Sequence, residues 1–239
     1  MPDVQLITCE HGGNAIPAPF GPLFTGHRAL LDSHRGWDPG ALLMAEALAT
    51  ATRAPMVAST TSRLLVDLNR SIGHPQLFSP MTRVASREVR AQIVAQHYRP
   101  HRDAVEDLVR QSISSGHRVI HIASHSFTPE LDGIVRQADV GLLYDPRRRA
   151  EVQLSMRWQE SLATLHPGLR VRRNYPYAGK GDGLTSHLRK RFGEGGYVGI
   201  ELEINQRIVA AAGQLWATLR GVLIDSLHSA CARHPNPTA

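Results

Sequence analysis

The sequence predicts an α/β sandwich built around a mainly parallel sheet. Two observations carry that prediction. Short strand-like runs lie at 4–8, 56–60, 119–124, 140–144, 171–175 and 197–204, most of them apolar and rich in Val and Ile, as strands buried on both faces are. Segments with helical character separate most of them, the alternation expected of parallel strands joined by helices. Length agrees: 239 residues, of which 42% are hydrophobic and 20% charged, suit one domain over 1–239 with a sizeable core.

The elements follow in order. The first strand runs straight into "CEHGGN". Residues 39–53 are Ala- and Leu-rich, with Asp38 as a candidate N-cap and Pro39 at the first helical position. Residues 86–115 carry apolar positions at helical spacing and are expected to form one long helix broken near Pro100. A second Asp-Pro pair starts a helix over 146–165, and 185–192 and 207–232 complete the set. Residues 234–239 are expected to be a frayed tail. No linker, repeat or low-complexity stretch divides the chain.

Charge and composition exclude several functions. Twenty-seven basic against twenty-one acidic side chains give +6, spread over short runs at 147–149, 172–173 and 189–191. Such a balance suits an acidic small substrate or nucleic acid. Aromatic residues make up only 5%, without basic–aromatic interleaving, which disfavours a nucleic-acid platform. The run at 147–149 is read as a solvated helix start. Two cysteines, Cys9 and Cys231, form neither a disulfide framework nor a CxxC zinc site. Without a signal-peptide pattern or a long apolar run, a soluble cytoplasmic protein is expected, with no membrane partner. Thirteen histidines invite the search for a site.

In open α/β sheets, sites form beyond the carboxyl ends of strands. Glu10 and His11 follow the first strand, and Ser124-His125-Ser126 follow the third. A glycine-rich stretch from Tyr177 to Gly183 follows the fifth. In the last strand Glu201, Glu203 and Asn205 alternate, so they share a face. Two histidines and a carboxylate are the protein ligands of a catalytic zinc with an open fourth position. A second carboxylate, off the metal, must then take a proton from water, and Glu203 or Glu201 qualifies. The plainer alternative makes His11 a turn residue and His125 an ordinary strand-end histidine. "LDSHRGWDPGA" offers Asp32, His34 and Asp38 as the acidic ligand, although capping would explain Asp38 too. Glu10 is a further candidate. His97 and His101 have the i, i+4 spacing of a metal pair but no accompanying acid, so packing or helix surface is expected.

In "SRLLVDLNRS", Arg63, Asp67, Asn69 and Arg70 interrupt an apolar run. They form either a carboxylate clamp or a surface turn with an internal Asp–Arg pair. "YAGKGDGLTSHLR" places glycines before a helix, a possible anion cradle. Lys180 is followed by Gly181, so it is not a P-loop, and a mobile loop covering a substrate is the better reading.

Taken with "YRPHR", "SHSFTP" and "IELEINQ", these stretches resemble the N-formylglutamate amidohydrolase family, in the family's order, over about residues 4–210. The resemblance implies a three-layer sandwich with a mixed, mainly parallel sheet, of the phosphorylase/hydrolase-like type related to zinc carboxypeptidases. It implies a metal-dependent hydrolase, with one zinc per chain, acting on an N-acyl amino acid such as N-formylglutamate. Carried over by position, His11 and His125 match the histidine ligands and Asp38 the acidic one. Glu203 matches the general base. Arg63, Asn69 and Arg70 match the substrate-carboxylate stretch, and Arg63 or His34 would assist the metal at the oxyanion. Gly183 and Thr185 match the glycine loop. "EHGGN" departs from the Pro-His-x-Gly of the better-defined glutamate enzymes, so a related N-acyl substrate is equally compatible. Two other readings stay open: a zinc amidase or carboxypeptidase acting on peptides or cell-wall fragments, and a non-catalytic relative that binds an acidic metabolite.

Overall fold

A computed structural model describes residues 1–211 and 213–232; the expected tail at 234–239 lies outside them. Eight strands occur among these residues: β1 (Asp3–Cys9), β2 (Met56–Ala58), β3 (Arg118–Phe127), β4 (Glu130–Leu131), β5 (Ile134–Val135), β6 (Val140–Leu143), β7 (Val171–Arg173) and β8 (Tyr197–Asn205). Six of them form one sheet in the order β2-β1-β3-β8-β6-β7. β2, β1, β3 and β8 run parallel, and β6 is antiparallel to β8 but parallel to β7. The long central strands β3 and β8 are buried nearly end to end, mostly apolar in their first halves and carrying buried polar side chains toward their carboxyl ends. β4 and β5 form a separate hairpin. Asp132 and Gly133 turn it with φ of 51° and 77°, the left-handed pair that a two-residue hairpin requires.

The helices are α1 (Arg28–Leu31), α2 (Ala41–Thr52), α3 (Pro80–Arg83), α4 (Arg87–Ile93), α5 (Arg99–Ser114), α6 (Arg149–Leu165), α7 (Leu184–Arg191), α8 (Gln206–Ala210) and α9 (Gly213–Cys231). α2, α6 and α9 cover one face of the sheet, where Met44, Leu48, Trp158 and Leu223 pack with Ile122 and Leu202. α5 and α7 cover the other, where Val105, Val109 and Leu188 pack with Leu6, Val119 and Tyr197. A third cluster, including Phe20, Leu65, Ile93 and Tyr98, supports the irregular segment that follows β2. No helix among the described residues is long and apolar enough to cross a membrane.

Three local expectations need correction. α2 begins at Ala41, and Gly40, with φ of 82°, occupies its N-cap without a side-chain cap. Asp38 therefore does not cap that helix through its side chain. The expected break near Pro100 does not occur: α4 passes through a π-helical turn at Val94–Tyr98 straight into α5, and this wider turn immediately precedes the proline, which has no N–H to donate and whose ring crowds an ordinary turn. The expected helix at 207–232 is divided into α8 and α9, with Gly213 at φ of 59° where the second begins.

One polar contact threads the sheet interior. His121 on β3 lies 2.8 Å from Thr8 Oγ1 on β1 and 2.7 Å from the Tyr197 hydroxyl on β8. It ties together the three strands whose carboxyl ends carry the candidate site.

Candidate active site

Beyond β1 the chain must pass tightly against the segment that extends β2. A Cβ on Gly13 would lie 2.6 Å from the Thr60 carbonyl oxygen, and one on Gly12 2.9 Å from that of Ser59. The two glycines after His11 are thus a packing requirement. The Asp38 amide donates to the His11 carbonyl at 2.9 Å, bringing the segment before α2 against the end of β1. β3 supplies His125 from the neighbouring strand.

Three buried side chains converge here. Asp38 Oδ2 lies 3.0 Å from His125 Nδ1 and 3.3 Å from His11 Nδ1. Ligand atoms of the three lie within 4.8 Å of one another, close enough to share a metal ion. The far nitrogens of both rings face carboxylates. His11 Nε2 is 2.7 Å from Asp67 Oδ1, and His125 Nε2 is 2.9 Å from Glu10 Oε2. Asp67 is hydrogen-bonded to the far side of His11, and Glu10 sets a negative charge behind His125 without a well-aligned hydrogen bond; carboxylates placed so favour Nδ1 as the metal-facing atom, as in carboxylate–histidine–metal arrangements. Arg63 donates to Asp67 at 2.8 Å and to Asp38 at 3.3 Å.

Charge balance gives a second test of the donor set. With neutral imidazoles, Glu10, Asp38 and Asp67 against Arg63 leave two uncompensated negative charges in a buried site. A divalent cation would balance them, so the residues fit one. The same imbalance governs the titrations. Burial opposes ionisation of Asp38, but His11, His125 and Arg63 overcome it and hold the carboxyl well below its ordinary range. Burial likewise opposes charging of His125, yet Asp38 and Glu10 raise it well above the ordinary histidine value. A proton on His125 thus supplies part of the missing positive charge.

Glu203 lies directly across from His125 in the β3–β8 ladder. Its Oε2 is buried without a hydrogen-bond partner. Burial pushes its carboxyl up to about 8, against the pull of His125 and with further elevation from Asp38 and Glu201. Glu201 differs in being engaged: its Oε1 accepts from the Thr185 hydroxyl at 2.5 Å. The geometry thus distinguishes the two candidate bases: Glu201 is tied to Thr185, whereas Glu203 presents a buried, unpartnered oxygen across from His125.

The remaining sequence candidates divide into two groups. Asp38, Arg63, Asp67 and His34 line a cavity of about 430 Å³ whose walls also carry Arg35 and Tyr177. Asn69, Arg70, Gly183 and Thr185 are joined to one another through the glycine loop and do not line that cavity. Asn69 Oδ1 accepts from the Leu184 amide at 2.6 Å, and Arg70 donates to the Asp182 carbonyl at 3.0 Å. Asp182 accepts in turn from the Ser71 amide and hydroxyl. Among the candidate acids, Glu10 stands behind His125, and Asp32 pairs with Arg28 and Asn14 at the surface.

The sequence reading missed the role of "YRPHR". Tyr98, His101 and Arg102 share one face of the helix at i, i+3 and i+4. The Tyr98 hydroxyl donates to the Arg70 carbonyl at 2.7 Å, and Arg102 donates to the Leu68 carbonyl at 3.0 Å. His101 Nε2 lies 3.6 Å from Glu10 Oε1. This face therefore braces both the 62–71 segment and the carboxylate behind His125. His97, by contrast, packs edge-on against Phe20.

Comparison with known proteins agrees with the ordered motifs. The sequence model of the N-formylglutamate amidohydrolase family matches residues 4–210. The chain belongs to the N-formylglutamate amidohydrolase family. A crystal structure of a gene product from Agrobacterium tumefaciens is similar over 95% of this chain and 89% of its own, with a TM-score of 0.81 and 29% identity. N-formylglutamate amidohydrolase from Ralstonia eutropha JMP134 shares the fold over 96% of this chain and 94% of its own, with a TM-score of 0.66 and 20% identity. No curated protein matches the sequence.

Proposed function

We propose that this family member is a metal-dependent amidohydrolase that cleaves the amide bond of a small N-acyl amino acid, N-formylglutamate or a related acidic substrate. His11, Asp38 and His125 would hold one zinc ion, and zinc bound there supplies Lewis acidity to the scissile carbonyl and to water. The observation that carries the proposal is the convergence of His11 Nδ1, Asp38 Oδ2 and His125 Nδ1 beside the unpartnered Glu203 Oε2.

The chain's own residues divide the remaining work. Glu203 accepts a proton as water attacks the carbonyl carbon and delivers it to the departing amine nitrogen. Arg63, fixed by Asp67 and Asp38, sets a positive charge on the cavity wall where the carbonyl oxygen gains negative charge. Asn69 and Arg70, with Gly183 and Thr185, would hold a substrate carboxylate from the glycine-loop side. Arg70 meets that carboxylate by exchanging it for the Asp182 carbonyl. The overall +6 charge favours encounter with an acidic substrate.

The test is metal analysis of purified protein together with a hydrolysis panel of N-formylglutamate, N-formylglutamine, N-acetylglutamate and a dipeptide. Zinc near one per chain, lost in His11→Ala, with preferential release of formate from N-formylglutamate, supports the proposal. Hydrolysis of the dipeptide alone would replace it with a peptidase. Tight binding of the acidic substrate without turnover by metal-loaded protein would replace it with a binding relative.

A further inference from the structure

A second cavity, of about 370 Å³, lies away from the residues assigned above, between the segment after β6, the glycine loop and α7. Five cationic side chains line it: Arg147, Arg148, Lys180, Arg189 and Lys190. Their order in the sequence hides the grouping, because they come from three separated segments and include the run that looked like a solvated helix start.

Two of the five are fixed in place. Arg189 pairs with Glu151 at 2.9 Å and donates to the Gly179 and Gly199 carbonyls. Arg148 approaches the same Glu151 oxygen at 3.2 Å and donates to the Tyr197 carbonyl at 2.6 Å. Their donors are largely spent within the fold, so they contribute standing positive charge. Arg147 is held by Asp145 through Nε and Nη2. Lys180 and Lys190 have no carboxylate partner among the described residues. Asp145 and Glu151 together offset two of the five charges, leaving three positive charges around one concavity. Such a field concentrates small anions.

We propose that this cavity binds a small polyanion of the phosphate class, with Lys180 and Lys190 as its principal donors. The N-terminus of α7 is not the binding element, since the Leu184 amide already donates to Asn69. The site is concave and carries no aromatic side chain on which a base could stack, which favours a compact anion over nucleic acid. Its occupation would also tie Lys180 of the glycine loop to Lys190 of α7. Between those two lysines, Asp182 of the loop and Leu184 and Thr185 of α7 contact Arg70, Asn69 and Glu201 in turn.

The experiment is calorimetric titration of the full chain with inorganic phosphate and with pyrophosphate, at an ionic strength held constant with chloride. Wild type is compared with Lys180→Gln/Lys190→Gln, whose unfolding midpoint in chloride establishes that it is folded. Saturable binding near one per chain, tighter for pyrophosphate and weakened at least about tenfold in the variant, is expected from the loss of two charge-assisted bonds. A general stabilising effect of phosphate on any folded protein would act equally on both chains. Equal responses in the two proteins, or no saturable binding, overturn the proposal. An oligonucleotide that binds wild type and is lost in the variant, with neither phosphate compound binding, overturns it in favour of nucleic acid. These results do not depend on hydrolytic activity.

Discussion

Lowering the pH should weaken the sheet core through His121. Burial is the main cause of its depressed titration, from an ordinary 6.5 to about 4, with Arg189 and neighbouring histidines adding to it and Glu10 opposing. Its hydroxyl partners on Thr8 and Tyr197 accept or donate as required, so transfer of charge out of water dominates. The sign follows from the two states. Above pH 6.5 the ring is neutral both folded and unfolded. Below it the unfolded chain takes up a proton that the folded chain refuses until about 4. Stability contributed by the neutral ring is therefore lost as pH falls through that window. The gap corresponds to about 3 kcal/mol in full, with about 2 kcal/mol gone by pH 5. Urea unfolding of wild type and His121→Gln at pH 7 and pH 5, with chelator throughout, isolates this contribution from other titrating groups. Wild type should lose about 2 kcal/mol more than the variant. Equal losses would refute the assignment of a neutral, buried His121.

Other consequences test the site more directly. Glu10→Gln should weaken metal affinity about 10- to 100-fold in a chelator competition, by loosening the hold on His125. Tyr98→Phe removes the donor to the Arg70 carbonyl and should cost about 1 kcal/mol in urea unfolding. Its effect on turnover should be expressed in KM more than in kcat. Gly141→Ala should unfold more easily and lose activity, because the new Cβ would sit 2.0 Å from the Tyr175 carbonyl oxygen and 3.2 Å from Glu203 Cβ. Unchanged melting and turnover in Gly141→Ala would contradict the packing of β6 against Glu203.

The strands were legible because burial on both faces leaves a mostly apolar run, and their carboxyl ends located Glu10, His11 and His125. Endings were harder. β7 stops at Arg173, two residues before the expected end, where Asn174 turns left-handed at φ of 50° and accepts from the Tyr144 and Gly179 amides. The β4–β5 hairpin was not anticipated, since strands of two residues have no periodicity to detect. Within "SRLLVDLNRS" the Arg63–Asp67 pair is four residues apart and could be anticipated. The contact of Asp67 with His11 joins residues fifty-six apart, and no local pattern announces it. Glu10 shows the same limit: as a letter it was one more acidic ligand, and only strand packing places it behind the ring.

The central claim is that Glu203 is the base beside a metal held by His11, Asp38 and His125. The most direct measurement is steady-state hydrolysis of N-formylglutamate by Glu203→Gln, with bound metal determined on the same sample. The account predicts metal content equal to wild type and kcat lower by at least about 100-fold. Full turnover in a metal-replete variant would contradict it.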